Sequence, residues 1–320
     1  LMPLNPQVTS FAAYEPGLVK PVMSQKDLWV LGAMPQTVGY RYNDYAWRQP
    51  IQGGSLSHFD LGGIQAMRIH LGGLDAEHAY GGGSFVEWTQ RRMPHKAETQ
   101  IALHWQPEDM VFMRADAQEQ WGQLSGAASL ALPLVENKLW FNLNAHYLDA
   151  TYSSLNVDLQ KSQQNEVLFD GALIWHPNAS HAIRTSMFWN PSQSWMTEQG
   201  VEGELTQAGT SSTLGASLAL ETQLAQRVTW DNKFQFIWNN AEAGPDNCPD
   251  QDCSTIAQEQ TSRPVKDLLG WNTQSHWTGV HATSTLKVIV PVQKQRWPVK
   301  LGALLHHIDV AQNWRLPNTI

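Results

Sequence analysis

The densest chemistry in the chain lies in Tyr40-Arg41-Tyr42-Asn43-Asp44-Tyr45-Ala46-Trp47-Arg48. Aromatic faces stack on planar or cationic groups, and guanidinium forks pair with carboxylates or phosphates through two parallel bonds. The turn-forming and polar residues of this run place it in a loop. A second candidate is Asn247-Cys248-Pro249-Asp250-Gln251-Asp252-Cys253, which holds the only two cysteines of the chain. The spacing allows Cys248 and Cys253 to close a small disulfide, as exported proteins do. Free thiols or a metal pair remain alternatives, although no further His/Cys spacing accompanies them. Asp246, Asp250 and Asp252 are oxygen ligands of the type calcium takes. The glycine and closing glutamate of an EF-hand are absent, so a solvated acidic loop is the expectation. His306 and His307 are adjacent on a strand-like run, face opposite ways and cannot chelate together.

Nothing in the sequence argues for an enzyme. It contains no H-E-x-x-H, no G-x-S-x-G, no P-loop and no dinucleotide fingerprint. Its 29 acids are scattered and single out no acid–base pair. No catalytic residue, metal site or cofactor is assigned. Charged residues make up 16% and the net charge is −8, which leaves no broad electrostatic footprint for nucleic acid. No apolar run is long enough for a transmembrane helix. The mean hydropathy of −0.37 is compatible with a membrane β-barrel, whose strands carry apolar residues only at every second position. Fifteen tryptophans and 23 glycines suit such a barrel with aromatic girdles, and also a sugar-binding β protein.

The element that has to position the aromatic–arginine run is the glycine-rich stretch 62–91, GGIQAMRIHLGGLDAEHAYGGGSFVEWTQR. Two strand-like runs, 64–71 and 84–90, are bracketed by Gly72-Gly73 and Gly81-Gly82-Gly83. Such glycines allow tight turns and close backbone approach. Residues 1–60 are punctuated by Pro and Gly, giving short strands, of which 27–31 is one.

This stretch resembles the end of the plug domain of TonB-dependent outer-membrane receptors, particularly the group related to the Oar proteins. The resemblance is carried by Ile64, Met67, Ile69, Gly72, Gly73, Leu74, Ala76, Glu77, His78, Gly82, Gly83, Val86, Glu87, Thr89 and Arg91, without a gap. Leu134-Val135-Glu136-Asn137-Lys138-Leu139-Trp140-Phe141 is similar to the family's early-barrel hairpin. One departure is Leu31, in Leu28-Trp29-Val30-Leu31-Gly32-Ala33-Met34-Pro35, where the family carries an aspartate.

The resemblance implies a plug domain over residues 1–97, built on a small mixed α/β sheet. It implies an incomplete transmembrane β-barrel over 98–320, so the fold class is mainly β. The family's barrels have about 22 strands, and the chain starts at Leu1 with no signal peptide visible. The expectation is therefore a piece of a longer receptor without its export signal, TonB-contacting segment and later strands. Location in the bacterial outer membrane follows, with outer-membrane lipid, a TonB-type energy-transducing protein and a small-molecule, glycan or peptide ligand as partners. In the family the loop after the strand matching 27–31 points up the lumen toward the outside. That makes Tyr40, Arg41, Tyr42, Asn43, Tyr45, Trp47 and Arg48 candidate ligand contacts at the plug apex; alternatively they wedge the plug against the barrel wall. Two other functions stay open: a surface scaffold or export and assembly partner, and a secreted carbohydrate-binding β protein.

The barrel expectation has its own support in the pattern after residue 98. Leu139, Phe141, Leu143, Ala145 and Tyr147 share one face, and Trp140, Asn142, Asn144 and His146 the other. Leu214, Ala216, Leu218 and Leu220 oppose Gly215, Ser217, Ala219 and Glu221; Val228, Trp230, Phe234, Phe236 and Trp238 oppose Thr229, Asp231, Lys233 and Gln235. Candidate strands are 99–105, 110–117, 122–132, 138–147, 165–175, 181–189, 213–224, 228–238, 276–290 and 299–307. Short connections at 133–137 and 225–227 are expected on the periplasmic side, long loops at 148–164, 190–212 and 239–274 outside.

Overall fold

The computed structural model describes residues 18–19, 29–30, 37–43, 45–48, 55–56, 64–71, 84–90, 93–106, 119–154, 160–200, 203–245, 272–292 and 295–315. Two dipeptide strands, β1 (Leu18–Val19) and β2 (Trp29–Val30), pair antiparallel. A four-stranded sheet follows, made of β3 (Gly39–Tyr42), β4 (Tyr45–Ala46), β5 (Ile64–Leu71) and β6 (Ser84–Gln90), in the order β4-β3-β6-β5. It is mixed, since β3 runs parallel to β6 while the other pairs are antiparallel. The helical part of the expected plug is not among the described residues. The glycine-rich motif residues 72–83, and Cys248 and Cys253, also lie outside them.

The rest of the chain forms one nine-stranded antiparallel meander. Its strands are β7 (Glu98–Gln106), β8 (Glu119–Val135), β9 (Leu139–Ser154), β10 (Gln160–Asn178), β11 (His181–Gly200), β12 (Gly203–Ala225), β13 (Val228–Pro245), β14 (Asn272–Val292) and β15 (Gln295–Arg315). Each pairs with its sequence neighbours. The candidate strand 110–117 lies outside the described residues.

Short turns at 136–138, 179–180 and 226–227 share one end of the sheet. Backbone bonds knit that end together: His176 N donates to Lys138 O at 2.7 Å, Gln223 N to Ser180 O at 2.7 Å and Ile289 N to Arg227 O at 2.9 Å. The first turn closes through Asn137, which takes the left-handed conformation at φ 57°. β8 runs through Pro133, beyond the expected start of the turn, because the ladder is already irregular between Pro133 and Val135. A residue without an N–H is tolerated at such an irregularity.

At the opposite end the structure corrects the reading of long loops. Residues 148–154 and 160–164 are strand, and β11 and β12 stay paired from His181↔Thr222 to Gly200↔Gly203. Of the 239–274 segment, 239–245 and 272–274 are strand. Apolar–polar alternation signals a strand only where one face is apolar. Here both faces are polar, as in Asn190-Pro191-Ser192-Gln193-Ser194, and pairing is sustained by the backbone and by bonds such as Ser192 Oγ to Ser211 Oγ at 2.7 Å. β12 has 23 residues, about twice the ~9–11 that cross a bilayer.

The alternation sorts the two faces as expected. Outward-facing Leu143, Met187, Leu214, Leu218 and Phe234 are exposed. Inward-facing Asn142, Asn144, His146, Asp170 and Gln235 are buried. The outward apolar belt is edged by tryptophans: Trp175, Trp230 and Trp297 flank the short-turn end, and Trp189 and Trp238 lie further along. Trp230 and Trp238 are eight residues apart on β13, roughly 26 Å along the strand. A tilt near 40° reduces that to about 20 Å, close to the ~25 Å apolar band of an outer-membrane barrel.

The buried core sits between the two sheets. Val38, Tyr40, Tyr42, Trp47, Val86 and Trp88 of the small sheet cluster with Leu168, Phe188, Ile237 and Trp277 of the large one. The mixed sheet thus packs against the otherwise polar inner face at the points where that face turns apolar.

Candidate functional site

The run 40–48 is a strand hairpin rather than a loop. Tyr-Arg-Tyr alternates with period two, so Tyr40 and Tyr42 are buried while Arg41 is half-buried between them. Asn43 turns the chain at φ 55°, and its N–H donates to Trp88 O at 2.8 Å, tying the turn to β6. Trp47 N donates to Tyr40 O at 2.8 Å and closes the hairpin behind it. Tyr40 stacks on Trp88 at 5.6 Å between ring centroids, and Tyr42 meets Trp47 at 5.1 Å. Four aromatic rings therefore fix the hairpin as one body.

Among the contacts that seat that body on the wall are two hydrogen bonds and a ring pair. The Tyr42 hydroxyl donates to Asp170 Oδ2 at 2.7 Å. The Trp47 ring meets Phe188 at 4.5 Å between centroids. Ala46 N donates to Gln235 Oε1 at 2.9 Å. Asp170 is buried, and Asn144 Nδ2 also donates to its carboxylate, at 3.0 and 3.4 Å. Hydrogen bonds to a buried carboxylate are among the strong ones, because the charge has no water to turn to. Glu166, also buried, takes bonds from Asn190 Nδ2 at 3.0 Å and Gln164 Nε2 at 3.2 Å.

Beside this seat a cavity of about 170 Å³ opens between the hairpin and β13–β15. Tyr40, Arg41 and Arg48 line it from the hairpin; Lys233, His281 and His306 line it from the wall. The anticipated cluster is thereby divided. Tyr40, Arg41 and Arg48 border open space, whereas Tyr42 and Trp47 pack against the wall and Asn43 makes the turn. Tyr45 lies in β4 opposite Tyr42. His306 faces His281 across β14–β15, with ring centroids 5.7 Å apart, and its neighbour His307 belongs to the other face. Among the described residues no group of three metal-ligating side chains occurs.

The wall's contribution was missed by local reading. Asp170, Phe188 and Gln235 are 128, 141 and 189 positions from the hairpin residues they touch, Tyr42, Trp47 and Ala46, and only the register of the sheet brings them together. The one available signal was an apolar residue on a polar face, as at Phe188 and Ile237.

No protein-family model matches the chain, and no curated protein sequence matches it. Solved structures do. The ferric citrate transporter FecA, unliganded, superposes with a TM-score of 0.62 over 96% of this chain and 54% of its own, at 11% identity. The chain has the fold of a TonB-dependent outer-membrane receptor. A mutant of the ferric enterobactin receptor PfeA from Pseudomonas aeruginosa shares that receptor fold at a TM-score of 0.63, over 94% of this chain and 46% of its own, at 10% identity. The siderophore receptor PiuA from Acinetobacter baumannii does so at 0.56, over 96% and 60%, at 9% identity. The chain spans about half the length of the receptors it matches. In the terms of that fold, the four-stranded mixed sheet is plug and the meander is part of the barrel wall.

Proposed function

We propose that this protein is part of an outer-membrane receptor that takes up a small-molecule, glycan or peptide ligand, with energy delivered by a TonB-type protein. Residues 1–97 act as plug and 98–320 as barrel wall. The observation that carries the reading is the seat of the hairpin: Tyr42 on Asp170 and Trp47 on Phe188, inside a wall whose opposite face is an exposed apolar belt. A small sheet held on the polar side of a lipid-facing sheet blocks a lumen. Among the described residues the block is held by hydrogen bonds and ring contacts, so a pull on the plug can release it without covalent chemistry. Ligand and pull then act as differential interactions with closed and open states. Tyr40, Arg41 and Arg48 are the ligand-facing residues of the hairpin in this reading; Tyr42, Asn43 and Trp47 hold it in place.

The test is metabolite depletion. Gram-negative cells with and without the protein, each with TonB intact or deleted, are grown in a defined mixture of candidate solutes, and the medium is profiled. The expected result is a compound depleted only when both proteins are present. Equal depletion in all four strains would overturn the reading.

A further inference from the structure

Strand β13 turns Asp231, Lys233 and Gln235 inward, onto the cavity beside the hairpin. Gln235 is used at one end only. Its Oε1 accepts from Ala46 N at 2.9 Å, and that donor fixes which end of the amide is oxygen. Its Nε2 is buried and has no hydrogen-bond partner among the described residues. Asp231 is half-used in the same way. One carboxylate oxygen, Oδ2, is ion-paired to Lys287. The other, Oδ1, is buried without a partner among the described residues. Gln235 is 2% exposed and Asp231 9%, so neither group reaches bulk water readily. Buried donors and acceptors are costly to leave unmet. The cavity of about 170 Å³ exceeds by about tenfold what a single water needs.

One unmet donor and one unmet acceptor match a ligand that accepts at one end and donates at the other, and a hydroxyl does both. Lys233 stands between Asp231 and Gln235, so an ion of either sign meets a like charge here, and a neutral solute does not. Spacing sets the size. Asp231 and Gln235 are four positions apart on one face of β13, roughly 13 Å along the strand. Two hydrogen bonds of about 3 Å leave roughly 7 Å for the ligand, about the breadth of one sugar ring with its hydroxyls. Thr283 and Thr285, opposite Lys233 and Asp231 on β14, border that span with hydroxyls of their own.

We propose that this cavity is a subsite for a neutral, hydroxyl-rich ligand the size of one sugar ring, which accepts from Gln235 Nε2 and donates to Asp231 Oδ1. The plug shares the subsite, because the same Gln235 amide holds Ala46 with its other end. Its place on an uptake path rests on the transporter reading; binding itself does not.

Saturation-transfer difference NMR on the full chain, in micelles of an amine-oxide detergent that carries no sugar, tests it. The probes are glucose, galactose and mannose, each titrated singly, with glucuronate and glucosamine as charged counterparts. Saturable binding of at least one neutral hexose is expected, at least about tenfold tighter than either charged sugar. Gln235→Glu keeps an acceptor for Ala46 but removes the donor, and Asp231→Ala removes the acceptor. Each should weaken hexose binding about tenfold, and Lys138→Gln, at a turn, should leave it unchanged. Should Gln235→Glu unseat the plug, as limited proteolysis would show, Asp231→Ala decides alone. No saturable signal from any of the three hexoses, which means a cavity holding water only, would overturn the proposal. So would a charged sugar bound as tightly, or wild-type binding by a variant whose plug is seated. Such a failure leaves the transport reading standing, because that reading falls on the depletion experiment alone.

Discussion

The ring of Phe188 lies across the backbone of Gly215 on the next strand, so close that a Cβ added at 215 would stand 2.0 Å from its Cε1. The same ring meets Trp47 of the plug hairpin. Phe188 is thus held between a bare stretch of wall and the plug, and the missing side chain at 215 leaves the ring room to lie flat.

Gly215→Ala should therefore push Phe188 toward Trp47 and loosen the plug. Overpacking of this type costs about 1–3 kcal/mol. Gly209→Ala is the comparison: its nearest neighbour is the Ser194 hydroxyl at 2.9 Å, a side-chain end that can rotate away, so a cost within about 0.5 kcal/mol is expected. Urea titration monitored by limited proteolysis of the plug measures both.

Removing the Tyr42 hydroxyl should weaken the seat without emptying it. Asp170 would keep its bonds from Asn144 and lose the one from Tyr42, a loss of about 1.5–3 kcal/mol for a bond to a charged group. Tyr42→Phe should then speed amide exchange at Tyr42 and Asn43. Combined with Asp170→Ala, its effect should be clearly less than additive, since both remove one interaction. Full additivity would place the stabilisation elsewhere.

The belt makes a depth-dependent prediction. Phe234 is exposed on the outward face between Trp230 and Trp238, where arginine costs about 2–4 kcal/mol in a bilayer. Thr210 is also outward and exposed, but lies toward the projecting end of β12, where the cost should be about 0–1 kcal/mol. Folding titrations of Phe234→Arg and Thr210→Arg into lipid vesicles give the difference. Equal, small costs at both positions would argue for an aqueous surface.

These relationships were unequally visible in the residues. Strands β5 and β6 coincide with the runs 64–71 and 84–90 because the sequence marks them with glycine clusters, on both sides of the first and ahead of the second. The middles of the long strands are visible because exposed apolar and buried polar positions alternate there. Their ends are not, since a strand wet on both faces, such as 190–200, has no alternation to read. At 40–48 arginine and asparagine suggest a loop, whereas the Tyr-Arg-Tyr alternation is the better guide to the hairpin. The seat and the cavity depend on registers such as Gln235↔His281↔His306. No local pattern encodes which strand will stand opposite which.

The central claim is that one face of the meander meets lipid while the other holds the plug. Spin labels placed singly at 233–238 on β13, with Cys248 and Cys253 replaced by serine, test it most directly in vesicles. Collision rates with oxygen should be high at Phe234, Phe236 and Trp238 and low at Lys233, Gln235 and Ile237. Similar rates at all six positions, with free access for a water-soluble relaxant at Phe234, would contradict the account.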